Sequence, residues 1–478
     1  MRRDVARGRD IEASRLAAFV LSEAARERRR IRIEGAHCTG TLDLRQANLG
    51  IPLELVNCVF EGEILLDGAV LESVDLTGST AAGLRADRMR VHGDLLLNAM
   101  RIGDAGSPAA PIGDPGFDGD RSVVSRRVPD ESVVAALRLT AARIDGGLSL
   151  EGTTLGGPGP WAMFAPLIAI GGSLSASRLE TSGGLYLRDA RVGQSVLLDH
   201  AAVGAVDATG LSCALGFYAD WGFTCRGPVR LRGAVVGSVV TFHDAMLSGP
   251  AGAAVLTRLR TPRLRVDFRA PPMGALVLRD SRIGSYVDSP SSWPAPGGLD
   301  VEGLVYERLG STEHVGVKQR LAWLAKDTAV GAGSFEQLAT SYQRAGHERA
   351  ARMVRHARER RLRHEERLPG RIWSWLQDVL FGYGYIPGRA LLWLVLLVGF
   401  GLAWFTAHPP APVPGGVRRP WDPVLYSLDL IVPIANLGQR TAWEPTGIDK
   451  AIAVLLMLAG WLLATAVIAG AHRALSRN

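Results

Sequence analysis

From residue 40 to 103 the chain repeats short bursts of alternating aliphatic and polar residues. Each is opened by a glycine: Gly40-Thr-Leu-Asp-Leu, Gly50-Ile-Pro-Leu-Glu-Leu, Gly62-Glu-Ile-Leu-Leu, Gly93-Asp-Leu-Leu-Leu. The phrase returns at Gly147, Gly172, Gly184, Gly193, Pro228, Gly237 and Gly274. A two-residue period marks a half-buried strand, and glycine at the corner permits the positive φ of a tight turn. So short a strand cannot bury its own apolar face, so copies must stack. A unit of about ten or eleven residues therefore predicts a mainly β chain, a parallel β-solenoid over 31–290 in which each coil touches only its neighbours. Two units per coil make about twenty residues and set Cys38 beside Cys58 on adjacent coils.

Ala47-Asn48-Leu49-Gly50 and the cores Asp43-Leu44 and Asp75-Leu76 resemble the pentapeptide-repeat family, whose unit is A-(D/N)-L-x-x. The resemblance covers residues 31–287 and implies a four-sided, right-handed β-helix. Some members of that family mimic DNA through an acidic face. Here 24 Arg stand against 27 Asp plus Glu from Ile31 to Pro290, a balance too even for that use. The phrase breaks at Asp104–Asp130, Gly156–Pro166 and Cys213–Gly227. Phe217, Tyr218, Trp221 and Phe223 gather in the third break, which makes a loop there the expected partner-binding site. The plainer alternative packs these aromatics onto the solenoid wall.

A β-helix leaves strand edges open at both ends. Residues 1–30 supply a cap, with Leu16, Phe19, Val20 and Ala24 on one helical stripe. After a linker at 291–313 the pattern turns helical, and 314–388 reads as a basic neck. Its second helix opens with Ser334 and Gln337 at capping-box spacing. Two apolar spans follow in 389–478, Ala390–Ala407 and Ala451–Ala471, each of bilayer length and free of ionisable side chains. Trp373, Trp375, Phe381, Tyr383 and Tyr385 precede them as an interfacial belt. Arg344–Arg371 carries ten arginines against four glutamates. Cationic flanks stay inside, so the solenoid and both termini are expected in the cytoplasm of a bacterium, on its inner membrane, with Arg344–Arg371 on anionic lipid headgroups.

Between the spans Asp422 and Pro423 fit the N-cap and first position of a helix, and Pro433 ends it. A helix of about ten residues is too short to cross, and the polar loop Asn436-Leu437-Gly438-Gln439 comes next. Span, half-helix, polar loop, span resembles the pore unit of two-span tetrameric cation channels. That resemblance implies a homo-oligomer with Asp429, Asn436 and Gln439 lining a pore. Nothing in the chain matches the Thr-Val-Gly-Tyr-Gly filter, so potassium selectivity does not carry over. The alternative lays this segment on the outer membrane surface.

The formal charge of +7 over 478 residues sits at the N-terminus and beside the first span, which points to lipid and away from nucleic acid. Cys38, Cys58, Cys213 and Cys225 form no C-x-x-C pair, so no zinc site is expected. Gly331-Ala-Gly333 lacks the third glycine of a dinucleotide fingerprint, and no P-loop is present. Gly193-Gln-Ser195 lacks the closing glycine of a nucleophile elbow. His200 beside Asp199 and His243 beside Asp244 are read at comparable repeat positions, which sets both on one side of the solenoid, and the plain reading makes them surface polar residues. Actinobacterial proteins that look like this one carry the label membrane-associated oxidoreductase, and that resemblance implies redox activity. No residue pattern here supplies a cofactor or metal site. The expectation is a membrane-anchored scaffold or sensor for an unidentified protein partner, without cofactor.

Overall fold

The computed structural model describes residues 10–104, 133–249, 254–365, 387–413, 419–432 and 437–475. The chain divides into two compact units, Met1–His347 and Glu348–Asn478.

The first unit is a parallel β-solenoid. One wall is a sheet of eleven strands, one per coil. A single coil runs Leu42–Asp43, Asn48–Leu49, Leu53–Val56 and Val59–Phe60, after which Glu63–Leu65 pairs back onto the first strand. Asn48 pairs with Val70 and Val70 with Arg90, so successive coils take 22 and 20 residues. The alternation in the sequence becomes inside and outside. Leu42, Leu44, Ala47, Leu49, Leu53 and Leu55 are buried in one coil, while Asp43, Arg45 and Glu54 between them reach solvent.

Each coil turns tightly at left-handed residues, Gln46 (φ 58°) and Asn57 (φ 54°) in the first. Asn57 also explains a glycine one coil on. A Cβ at Gly78 would run into the Asn57 carboxamide, and Gly210 stands in the same relation to Asp189. The side chain of one coil thus fills the space vacated in the next. Cys38 and Cys58 are buried and free, and burial pushes both thiols up, Cys38 to about 11. The register neighbour of Cys38 is Phe60, so Cys58 is not its direct stacking partner.

Two expected breaks are structured. Cys213–Gly227 forms a regular coil with strands Gly216–Tyr218 and Thr224–Cys225. Gly156–Pro166 contains the strand Trp161–Phe164, whose register shifts between Trp161 and Met163. The break at Asp104–Asp130 lies, from residue 105, outside the described residues. The stretch 291–313 carries a last coil, with Leu299–Asp300 and Val305–Ser311 paired onto the strands before them.

Both ends are covered, as open edges require. At the start Asp10–Glu12 pairs with His37–Thr39, and helix Ala13–Val20 buries Ala13, Leu16, Ala17 and Val20. At the far end helix Val317–Leu324 buries Trp323 and Leu324. Its Arg320 donates to both carboxylate oxygens of Asp288, at 2.6 and 2.7 Å, and to the Gly310 carbonyl. Asp327 accepts from the Val301 amide. The next helix, Ala332–Arg344, starts at Gly331 without a side-chain cap. Ser334 and Gln337 serve docking instead, donating to the carbonyls of Val301 and Tyr306 on the last coil.

The second unit contains the helices Glu348–Glu365, Pro387–Ala407, Pro423–Ile431 and Ile448–Leu475. The short one begins as its sequence demands: Asp422 accepts from the amides of Val424 and Leu425, and Pro423 follows. It packs between the two long helices around Phe405, Tyr426, Leu430, Ile431, Ala453 and Leu456. A Cβ at position 460 would strike the Ile431 carbonyl, so Gly460 allows the closest approach. Among the described residues no helix is long and apolar enough to cross a membrane. Side chains at 387–393 and 462–475, and the whole aromatic stretch 373–385, lie outside the described residues.

Candidate functional site

Coil spacing brings together residues that lie far apart in the chain. Trp221 occupies a left-handed corner (φ 51°) and is 56% exposed, the most open aromatic of the solenoid's described residues. One coil on, strand Val239–Leu247 carries His243, whose ring meets Trp221 edge-on at 4.7 Å. One coil further, Asp267 is the register partner of His243 and lies 2.8 Å from its Nδ1. Arg265 donates to the same carboxylate at 2.8 Å. At the adjoining corner Asp244 (φ 57°) sits where the register of the long strand shifts, and Arg269 grips it through two hydrogen bonds.

Beneath this surface Asp220 is buried. It accepts from the His243 amide at 2.6 Å and from Thr241 Oγ1 at 2.9 Å. Burial pushes its carboxyl pKa up, and these hydrogen bonds offset only part of the effect. Asp244 goes the other way, held below the usual carboxylate range by the Arg269 guanidinium. His243 with Asp267 is an oriented imidazole, but no nucleophile joins the pair among the described residues. No group of three metal-ligating side chains occurs among those residues either. An exposed Trp with Arg269 beside the next residue, and with Arg265 on the carboxylate that holds its neighbour His243, instead has the composition of an interface hot spot.

Of the four aromatics expected on a loop, Phe217 and Phe223 point into the core and are fully buried. Tyr218 is half-buried, which leaves Trp221 as the exposed one of the four. His200 lies next to the same corner: its Nδ1 is 3.7 Å from where a Cβ of Gly222 would stand. The sequence reading missed Arg265, Asp267 and Arg269. The signal was present in the coil length, since 221, 243 and 267 are successive steps of 22 and 24 residues.

In the helical unit Asp429 is 2% exposed and accepts from the amides of Leu437 (3.0 Å) and Arg440 (2.8 Å). It ties the polar loop to the short helix. Gln439 is 4% exposed and donates to the Pro420 carbonyl. Asn436 lies outside the described residues. The outer side of the unit is apolar: Val395, Leu396, Phe400, Leu455, Leu458 and Trp461 are each about half exposed or more. Lys450, Val454, Leu455 and Leu458 line an open apolar trough on the last helix.

No family model, curated protein or solved structure matches the chain.

Proposed function

We propose that the chain is a membrane-anchored β-solenoid scaffold. Its helical unit sits in the inner membrane of a bacterium, and its solenoid presents the patch around Trp221 to a protein partner in the cytoplasm. The observation that carries this reading is the distribution of side chains in the helical unit. Leu455, Leu458 and Trp461 face outward, while Asp429 and Gln439 are turned inward. Apolar surface on that scale marks a lipid or protein contact, and a carboxylate satisfied by its own backbone is what a bilayer demands. The spans Ala390–Ala407 and Ala451–Ala471 add length on this reading.

Reporter fusions test the topology: one at Asn478 is expected to report cytoplasm and one near Gly415 the exterior. The reverse result, or extraction of the full chain from membranes by alkaline carbonate, would sink the anchor. The patch is tested by capture of a partner with wild type and its loss with Trp221→Ala.

The channel alternative requires several copies with Asp429 facing a shared path. Here the carboxylate is taken up by two amides of its own chain, so a pore would have to release it. Conductance of the full chain in planar bilayers, compared with Asp429→Asn, decides between them. The oxidoreductase alternative stands or falls on a flavin or haem absorbance in the purified protein.

A further inference from the structure

We propose that one edge of the solenoid is a second membrane-contact surface, an arginine column that lies against anionic lipid headgroups. The proposal rests on the anchored reading above and concerns solenoid residues that precede Arg344–Arg371 in the chain.

The column is a single line of in-register strand positions, one per coil. Arg90, Arg143, Arg191, Arg260 and Arg282 lie on it, all exposed, and no position in the line is acidic. Arg90 and Arg143 are direct strand neighbours, as are Arg260 and Arg282. Among the described residues none of the five makes an ion pair. The arginines of the neighbouring wall behave differently. Arg45, Arg138, Arg188 and Arg279 are each neutralised, by Asp43, Asp87, Asp207 and Asp300. Asp145, two residues beyond Arg143, is turned to His92.

Strands in a sheet lie about 4.8 Å apart, and like charges directly opposite each other are destabilising. The fold thus neutralises arginines on one wall and leaves them stacked and bare along the adjoining edge. An anionic surface relieves that repulsion. The column follows a left-handed corner on a convex edge, where exposed Arg88 and Arg258 are balanced by exposed Asp189 and Asp280, so the net charge of the edge comes from the column itself. Its uncharged positions include Ala169, Ser212 and Val235 and hold no aromatic on which a base could stack. A chain held at a bilayer by its own helices also presents this edge at high local concentration.

Because all four native cysteines are buried, Ser212→Cys gives one exposed thiol on the column for a fluorophore. The labelled full chain, reconstituted in nanodiscs containing nitroxide lipid, is expected to show strong quenching when phosphatidylglycerol is present. That quenching should be lost in discs of phosphatidylcholine alone, and lost in anionic discs after Arg90→Glu, Arg143→Glu, Arg260→Glu and Arg282→Glu together. An unchanged circular dichroism spectrum and melting curve show that the reversed variant still folds. Equal quenching in both lipids, or full quenching in the reversed variant, overturns the proposal. Anisotropy with a labelled oligonucleotide is the third arm: binding that needs the column, without any lipid dependence, reassigns it to nucleic acid. If the chain fails to enter discs, the anchored reading fails by itself. The column is then judged by sedimentation with phosphatidylglycerol vesicles, where salt-reversible binding lost in the reversed variant upholds it and no binding overturns it.

Discussion

In the solenoid Leu148, Leu174 and Val196 stack on successive coils and all are buried, with Ser149, Ser175 and Leu197 beside them in register. In the helical unit Leu455 and Leu458 are more than 60% exposed, while Asp429 is 2% exposed. One region hides apolar groups from water; the other hides a carboxylate and shows its leucines. Each arrangement is stable only in its own solvent. Water stabilises a buried leucine by about 1.5–3 kcal/mol, whereas hydrocarbon offers a leucine on the outside no penalty and makes an unpaired carboxylate costly. On the anchored reading proposed above, the contrast sets the boundary between two solvents within one chain.

The largest expected effect tests what the solenoid loses when a buried charge is stripped of its charged partner. Arg320 and Asp288 are 3% and 0% exposed. Arg320→Met leaves Asp288 buried with only the Trp293 indole as donor, and breaking such a pair costs about 3–5 kcal/mol. Chemical unfolding followed by tryptophan fluorescence should show that loss, and Arg320→Met with Asp288→Leu should recover part of it. A single-variant cost below about 1 kcal/mol would place the pair among surface ion pairs.

Next in size is a direct test of the two solvents. Leu215 of the solenoid and Leu458 of the helical unit are comparably exposed, at 51% and 64%. Leu215→Arg is expected to change stability by no more than about 0.5 kcal/mol, as surface substitutions do. Leu458→Arg should cost about 2.5–3.5 kcal/mol of membrane insertion, read as a shift of the full chain into the soluble fraction. Equal effects at the two sites would abolish the contrast.

The solenoid was legible because its signal is local. A two-residue period behind a corner residue is written out in every copy, so Leu42, Leu44 and Leu49 could be assigned inward from the sequence. Cys213–Gly227 was lost because Phe217 and Tyr218 take the place of the usual leucine pair, and Phe217 still fills the same core position. The last coil, Leu299–Ser311, was hidden by the Ser/Pro/Gly run just before it. The patch around Trp221 was only partly legible. His200 and His243 were read at like repeat positions, whereas the register sets His200 in line with Trp221 and Asp244, and His243 one place earlier in line with Asp220. The meeting of His243 with Trp221 depends on the coil length. The fate of Asp429 was illegible. Its partners are backbone amides of Leu437 and Arg440, and an amide carries no mark in the sequence.

Asp429→Asn sharpens the inner half of the comparison. The two amides donate to different carboxylate oxygens, so Asn keeps at most one bond, now neutral, and turns its NH2 on the other donor, a loss of about 2 kcal/mol. Faster proteolysis between residues 432 and 442 of the detergent-solubilised chain, with the helices retained, is the expected outcome. An unchanged digestion pattern would mean that the loop is held by other contacts.

The smallest effect lies within the Trp221 patch, where two carboxylates should give pH dependences of opposite sign. Asp220 has its folded pKa raised by burial above the ordinary 3.8. Its folded state therefore holds the proton longer than the unfolded chain, and stability falls as pH rises from that ordinary value through the raised one. Asp244 has its folded pKa lowered by Arg269; its contribution is present above the unfolded value and is lost as pH falls through the folded one. Asp220→Asn imitates the protonated form, so its stability relative to wild type should improve as pH climbs from about 4 through the raised value and level off above it. Asp244→Asn should instead be worse than wild type near neutrality and match it in acid. Melting temperatures of the three proteins across that pH range measure both slopes. Parallel curves would mean that Asp220 is as open to water as Asp244, and that the solenoid wall beneath His243 is less dry than its geometry indicates.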